Sequence, residues 1–501
     1  MVAVPVLGYF AIGAKGNIEK QIEKNTIDYY KRLNIDKLEA PLEKIAPPTG
    51  GTGKKIRIGL VGNGWRGEAL LQRLGYLHPD VISKHMKNGK PSQWLQDIMM
   101  QEDFNVEITG ICDVFDVHAR RGEAISRNKV LGGIQYSDKG AEVFSSYRDM
   151  VKSENIDAIV IATPDHTHAA IAIAAAKAGK HVYLEKPMSH SIEEAIALRN
   201  TIRQSGVVFQ LGHQNRQQMS YKVGRELFRK GFLGEVTQVE TFTNRNSLFG
   251  AWIRDDAFDH KSGNEANIDW EEFLCNAPKI DFDRKRFFSW QRYSDYGTSL
   301  TGNDFAHWFD AINQVLELGI PEYVVAMGGQ YYYKTHGDMP DVFNALFSYP
   351  KRGLTMTYDA TLKNGIFRQS RILGSEATLD LDSSVRMYRD NFSEKYKAVK
   401  LIGDEPLYYY DPKTDVDAIS TATSRTYLKS GYGPTFLDGR IMDVTFLHMK
   451  EWIDAIRGQG KPSCGVDKGF EESVTFNLAN LSYLHKKPVR WDGENEKVIF
   501  G

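Results

Sequence analysis

The chain has 501 residues, 42% of them apolar and 25% charged, and a formal net charge of −1. That length suits two domains plus extensions, and so balanced a charge gives no reason to expect nucleic acid or an acidic surface as partner. The three cysteines, Cys112, Cys275 and Cys464, lack zinc spacing and form no disulfide framework.

Val2 to Ala14 is apolar, ends in small residues and has no basic residues ahead of it; it is too short to span a bilayer. Two readings stay open. It is either the tail of a signal or anchor whose start is missing, or an arm that packs on the protein or on a neighbouring subunit, so the compartment is cytoplasmic or exported. Residues 15–45 are charged and helix-like, and 46–53 read as a Pro/Gly linker, so the folded core is expected to begin near Lys54.

Ile56, Ile58, Leu60 and Val61 predict a buried strand. It runs into Gly62-Asn63-Gly64-Trp65-Arg66-Gly67, and Glu68 to Leu74 carries helical spacing. Strand, glycine turn and helix start in that order predict a dinucleotide-binding turn. Gly62 allows the tight turn, Gly64 lets the backbone approach a pyrophosphate, and Gly67 lets helix and strand pack closely. The helix N-terminus then offers N–H groups and a partial positive charge to the phosphates. A glycine-rich turn with no ligand is the alternative.

An insertion, roughly 75–105, precedes the next strand, Val106 to Asp113. An acidic residue ending that strand hydrogen-bonds the adenosine ribose in dinucleotide folds and repels a 2′-phosphate, which favours NAD over NADP. The insertion accounts for a spacing longer than the usual about 20 residues. Arg120 and Arg121 just downstream weigh the other way, and Asp113 as a plain turn residue would leave the preference open. A strand pattern from Ile156 to Ala162 ends in Thr163-Pro164-Asp165-His166-Thr167-His168. Ligands sit beyond the carboxyl ends of parallel strands, so Thr163, Pro164, His166 and His168 are expected to line the cofactor. No third residue at metal spacing accompanies the two histidines, and no metal is expected. Further strands, His181–Leu184 and Val207–Gly212, end at Glu185-Lys186-Pro187 and His213-Gln214-Asn215-Arg216. Strands alternating with helices imply a parallel sheet.

From about residue 217 the texture changes. Val236–Phe242 and Leu354–Tyr358 alternate, and 323–326 and 342–347 also read as strands, which predicts an antiparallel sheet with one wet or ligand-covered face. Residues 448–456 and 471–485 read as amphipathic helices.

Together GLVGNGWRG, ATPDHTHAAIAIAAAKAGKHVYLEKPMSHS, LGHQNR, YGTSLTGNDFAHWFDAI and WIDAIRGQGKPSCGVDKGFEES resemble the Gfo/Idh/MocA oxidoreductases over roughly residues 54–495. The resemblance implies an α/β protein: a Rossmann domain with a parallel sheet (54–216), preceded by an extension and linker (1–53). A substrate and oligomerisation domain with an open, mostly antiparallel sheet follows (217–440), then C-terminal helices and a tail packing back towards the Rossmann domain (441–501). It implies NAD as cofactor, Glu185, Lys186 and Gln214 on the cofactor side, and a homo-oligomer, dimer or tetramer.

Lys186 matches the family's active-site lysine; an ammonium beside the nicotinamide can stabilise alkoxide character as hydride leaves. His307 matches the histidine that takes the hydroxyl proton, a task its near-neutral pKa suits. Many members carry Asp four residues earlier, where this chain has Asn303, an amide that cannot accept a proton. Asp304 is adjacent but turned roughly 100° on an α-helix. Asp310, one turn beyond His307, either fixes the imidazole tautomer or packs a helix. Arg216, Asp304, Trp252, Trp290 and Tyr331–Tyr333 are candidates for a sugar site, with core or interface packing as the alternative for each aromatic.

The implied activity is hydride transfer between NAD and a hydroxyl of a sugar or glycoside, with ring C3 as the favoured position. A redox-neutral, NAD-dependent glycosidase and a sugar-binding protein without turnover, the latter suggested by Asn303, are the alternatives.

Overall fold

The structure is a computed structural model that describes residues 53–246, 261–334, 337–399, 401, 404–411, 416–417, 434–437 and 440–501. The N-terminal arm, the helix-like 15–45 stretch and Trp252 therefore lie outside the described residues.

The first sheet is parallel. Its strands are β1 (Ile56–Val61), β2 (Val106–Cys112), β3 (Glu142–Phe144), β4 (Ala158–Ile161), β5 (His181–Leu184) and β6 (Phe209–Leu211), in the spatial order 6-5-4-1-2-3. The chain leaves β1 towards β2 on one side and returns through β4 on the other. The crevice where the order reverses lies beyond the carboxyl ends of β1 and β4, the place where such sheets hold ligands. The central strands are buried on both faces, β4 along its whole length and β1 except at Arg57.

Helices cover both faces. The first, α1 (Trp65–Arg73), follows the glycine turn, α2 (Asp116–Ser126) follows β2, and α3 (Asp165–Lys177) follows β4. Ser191 caps α4 (Ile192–Ser205) by accepting from the Glu194 N–H, and Gly206, at φ +67°, ends it. The insertion after α1 forms two short helices, Pro79–His85 and Gln93–Met99, which bury Leu77, Ile82, Leu95, Ile98 and Val130 as a satellite core.

The second sheet has eleven strands among the described residues. In chain order they are β7 (Val236–Asn244), β8 (Tyr323–Gly329), β9 (Val342–Tyr349), β10 (Leu354–Thr361), β11 (Ser370–Gly374), β12 (Ala377–Leu381), β13 (Val385–Arg389), β14 (Tyr408–Asp411), β15 (Val416–Asp417), β16 (Val489–Asp492) and β17 (Lys497–Phe500). Every pairing is antiparallel except β7 with β10. Alternation decides its two faces. Val324, Ala326, Phe343, Phe347, Met356 and Tyr358 are buried, whereas Tyr323, Val325, Met327 and Leu346 point outward.

Helices α5 (Met219–Arg229) and α6 (Ala306–Leu316) pack on each other, and two late helices connect the sheets. Asp443 caps α7 (Val444–Ile456) by accepting from the Thr445 and Phe446 N–H groups, and Phe446, Met449, Trp452 and Ile453 pack into the core of the parallel sheet. The longest helix, α8 (Val466–His485), buries residues in the core shared by both sheets. No helix among the described residues is long and apolar enough to cross a membrane.

Candidate active site

The glycine turn shows three different needs for glycine. Gly62 adopts φ +87°, and a Cβ there would meet the Ala162 carbonyl oxygen at 2.7 Å. A Cβ on Gly67 would sit 2.1 Å from the Gly62 oxygen, so only glycine lets the helix approach the turn. A Cβ on Gly64 would meet nothing within 4 Å. Gly64 is thus not demanded by packing, and the bare backbone faces open space at the N-terminus of α1, where the N-cap residue makes no side-chain hydrogen bond among the described residues. Those features fit a pyrophosphate. Trp65 beside it is largely exposed.

Asp113, directly after β2, fastens this turn. Its Oδ2 accepts from the Asn63 backbone N–H at 2.6 Å and its Oδ1 from the Phe115 N–H at 2.9 Å. The His118 Nδ1 stands 3.8 Å from the same Oδ2. The Asn63 side chain points into the protein, donating to the His118 carbonyl at 2.9 Å. Arg66 reaches across the crevice, donating to Glu185 at 2.6 Å and to Gln214 at 3.1 Å, and so ties the glycine turn to the ends of β5 and β6.

Lys186 follows Glu185 through a strand-end break. Its Nζ donates to the Asn303 carbonyl at 2.9 Å and lies 3.4 Å from that of Gly302. Those carbonyls belong to Thr301–Phe305, which winds as a π-helix leading into α6 (Ala306–Leu316). The sequence predicts an ordinary α-helical turn here, so the offset of roughly 100° for Asp304 does not apply; the turn is wider, a device common at functional sites. Long helix α8 steadies it: Asn480 donates to the Thr298 carbonyl at 3.1 Å and accepts from the Thr301 hydroxyl at 2.8 Å.

Asn303 is buried, and its amide donates to the Ser299 carbonyl at 3.0 Å. That partner explains the departure from Asp, because an ionised carboxylate in this position would face a carbonyl oxygen and offer it no proton. Asp304 accepts from Arg245 at 2.8 Å, while its second oxygen is buried without a hydrogen-bond partner among the described residues. His307 begins α6 half-buried, with its Nδ1 unpartnered among the described residues. Burial, then the Lys186 ammonium, His213, Arg66 and Arg245, hold its pKa well below the ordinary imidazole value. These surroundings favour the neutral ring.

Several other residues expected at the site are engaged in contacts within the protein. Arg216 is buried in a bidentate pair with Asp310, at 2.6 and 2.8 Å, and donates its third arm to the Ser463 carbonyl at 2.6 Å. Asp310 therefore anchors Arg216 and faces the His213 ring, at 3.9 Å from Nδ1; it does not orient His307 through any hydrogen bond among the described residues. His166 packs against Phe273 and Tyr296 with Nε2 2.8 Å from the Phe273 carbonyl, and burial lowers its pKa to about 4. It belongs to an aromatic core, as does Trp290. His168 bridges the carbonyls of Thr163 (2.8 Å) and Pro187 (2.6 Å), bracing the Lys186 loop from β4. Thr163 hydrogen-bonds Thr167 at 2.7 Å, and Pro164 caps α3. Of the exposed tyrosines, Tyr331 and Tyr332 stay open, whereas Tyr333 is buried.

Sequence reasoning missed the buried pair His213–Glu472 behind His307, because its members stand 259 residues apart. It also missed the segment Asn267–Asp269, which pairs with Val114–Asp116 through Asp116 N–H to Asn267 O (3.0 Å) and Asp269 N–H to Val114 O (2.7 Å).

Residues 56–213 match the family model described as an oxidoreductase family with an NAD-binding Rossmann fold, Gfo/Idh/MocA. The match covers the nucleotide-binding domain and ends at the close of the parallel sheet. Relatives of the family include levoglucosan dehydrogenase of Pseudarthrobacter phenanthrenivorans, 27% identical over 37% of this chain and 42% of that protein. A glycosyl hydrolase family 109 protein of Shewanella amazonensis is 32% identical over 29% of this chain and 26% of that one. The matched stretch thus spans less than half of either relative. Among solved structures, the WlbA dehydrogenase of Bordetella pertussis, in complex with NADH and UDP-GlcNAcA, superposes with a TM-score of 0.55 over 88% of this chain and 99% of its own, at 18% identity. That likeness is one of fold, and it takes in both sheets.

Proposed function

We propose that the protein is an NAD-dependent oxidoreductase that moves a hydride between the nicotinamide and a hydroxyl of a sugar or glycoside, at ring C3 in the first instance. The observation that carries this reading is the convergence of Lys186, on the carbonyls of Gly302 and Asn303, with His307 two residues beyond Phe305. When bound, NAD supplies the hydride acceptor. Its pyrophosphate is assigned to the Gly62–Gly67 turn and its ribose to Asp113. Lys186 donates to the reacting oxygen as alkoxide character develops, and neutral His307 takes the hydroxyl proton. In this reading Asn303 and Asp304 hold the lysine and the substrate face, and residues 54–216 form the cofactor domain. A survey of NADH formation across monosaccharides and glycosides tests it; no NADH from any of them, and no label exchange, would count against it.

The family 109 relative favours a second reading, redox-neutral glycoside cleavage through a transient keto-sugar. Release of p-nitrophenol from a p-nitrophenyl glycoside with NAD present and no NADH accumulating would select it. The outward apolar face of Tyr323, Val325, Met327 and Leu346 supports a homo-oligomer, which sedimentation at several concentrations checks.

A further inference from the structure

Behind His307 lies a group of charges that the proposed chemistry does not use. His213, just past β6, has Nε2 on the Glu472 carboxylate of α8 and Nδ1 3.9 Å from Asp310. Asp310 holds Arg216 in its bidentate pair, and all four side chains are nearly sealed from solvent, 1% exposed for His213 and Glu472, 4% for Asp310 and 6% for Arg216. Cys464 and His448 complete the shell, with Glu451 accepting from Ser463 on the far side.

Charge accounting decides the state of this group. With His213 cationic the two carboxylates and two cations sum to zero. With it neutral and Glu472 ionised, one negative charge would be buried without compensation, so one proton belongs to the His213–Glu472 pair. The Glu472 Oε1 already lacks a hydrogen-bond partner among the described residues, so the ion pair with His213 is its main support. Burial opposes the imidazolium, but Glu472 and Asp310 outweigh it and raise the His213 pKa; burial raises that of Glu472. Asp310, 3.9 Å from Nδ1, is a second counter-charge for the imidazolium and favours the proton on His213.

The ring of His213 stands 5.4 Å, centroid to centroid, from that of His307, at 86° to it. Like charges at that separation shift each other's proton affinity by about one pH unit or more. Lys186, Arg66 and Arg245 act in the same direction from the open side, Arg66 tempered by Glu185 and Arg245 by Asp304.

We propose that His213 and Glu472 form a positioning pair for the proton acceptor: the imidazolium, fixed by Glu472 and backed by Asp310–Arg216, presses edge-to-face on His307 and keeps it unprotonated and ready for the substrate hydroxyl. This rests on the reading of His307 as that acceptor.

Glu472→Gln removes the carboxylate but keeps the shape, so burial drives His213 neutral and the pressure on His307 is lifted. The acid limb of the kcat/KM profile then moves up, by up to about one pH unit since the carboxylate's opposing field leaves with the proton, and imidazole 15N shifts of the apo protein show His213 losing a proton and His307 titrating higher. His213→Gln, which removes the charge directly, gives the same upward movement should the first variant fold poorly. An acid limb and His307 15N titration that stay within about 0.2 units of wild type in a folded variant would overturn the pair's role. Failure of the underlying reading looks different: His307→Ala would keep the wild-type chemical step whatever the pair does.

Discussion

The Lys186 ammonium is held 2.9 Å from the backbone carbonyl of Asn303, across 117 residues of sequence. The residue at the family's aspartate position therefore contacts the lysine through its main chain, while its side chain points to Ser299. Lys186→Ala should lower the chemical step by about 10²–10³-fold, the usual loss for a group stabilising a developing oxyanion, with NAD affinity changed by less than about threefold. Single-turnover hydride transfer beside a cofactor titration separates the two; turnover near wild type would remove Lys186 from the mechanism.

The three glycines of the turn should respond differently to alanine. Gly64 has φ −69° and open space at its Cβ, so Gly64→Ala should leave stability within about 0.5 kcal/mol while weakening NAD binding by tenfold or more, about 1.4 kcal/mol. Gly67→Ala places a methyl 2.1 Å from the Gly62 oxygen and should cost about 1–3 kcal/mol of fold stability. Urea unfolding and NAD titration of both variants check the contrast.

Arg216 should behave as a structural residue. Removing one partner of a buried ion pair costs about 3–5 kcal/mol because the other charge is stranded. Arg216→Met and Asp310→Asn should both unfold at markedly lower urea concentration. A substrate-binding role predicts instead a raised KM at unchanged stability.

The His166 pKa of about 4 makes a stability prediction with a definite sign. Between the unfolded value near 6.5 and the folded value, the unfolded chain binds more protons, so this group's contribution is present above pH 6.5 and is lost as pH falls towards 4. The shift corresponds to about 3 kcal/mol. His166→Gln, which cannot titrate, should show a correspondingly smaller loss of stability between pH 7 and pH 4.5 by urea titration. An equal loss in both proteins would refute the assignment.

The parallel sheet, its glycine turn and the Lys186 loop were legible because their signals are local: a β-branched run, glycines at fixed offsets, a proline after a strand. The alternating strands of the second sheet were legible for the same reason. What escaped depends on distant partners. His166 and His307 are both histidines near expected site elements, yet one meets Phe273 and Tyr296 and the other Lys186 and His213, and no local pattern tells them apart. Arg216 reads as a strand-end site residue until Asp310, 94 positions away, is set against it. The π-helical turn carries no composition signal, since its extra width comes from packing against Asn480 and the Lys186 contacts.

The cleft walls are cross-linked before any ligand arrives. Asp165, at the start of α3, accepts from the Thr298 N–H at 3.0 Å and its hydroxyl at 2.6 Å, and the Asn267–Asp269 rung grips the edge beyond β2. The two sheets and their loops are thus one framework, and the entropy of bringing them together is settled during folding. Recognition in such a molecule resembles filling a mould: selectivity falls to the side chains lining the gap, since its width is already set.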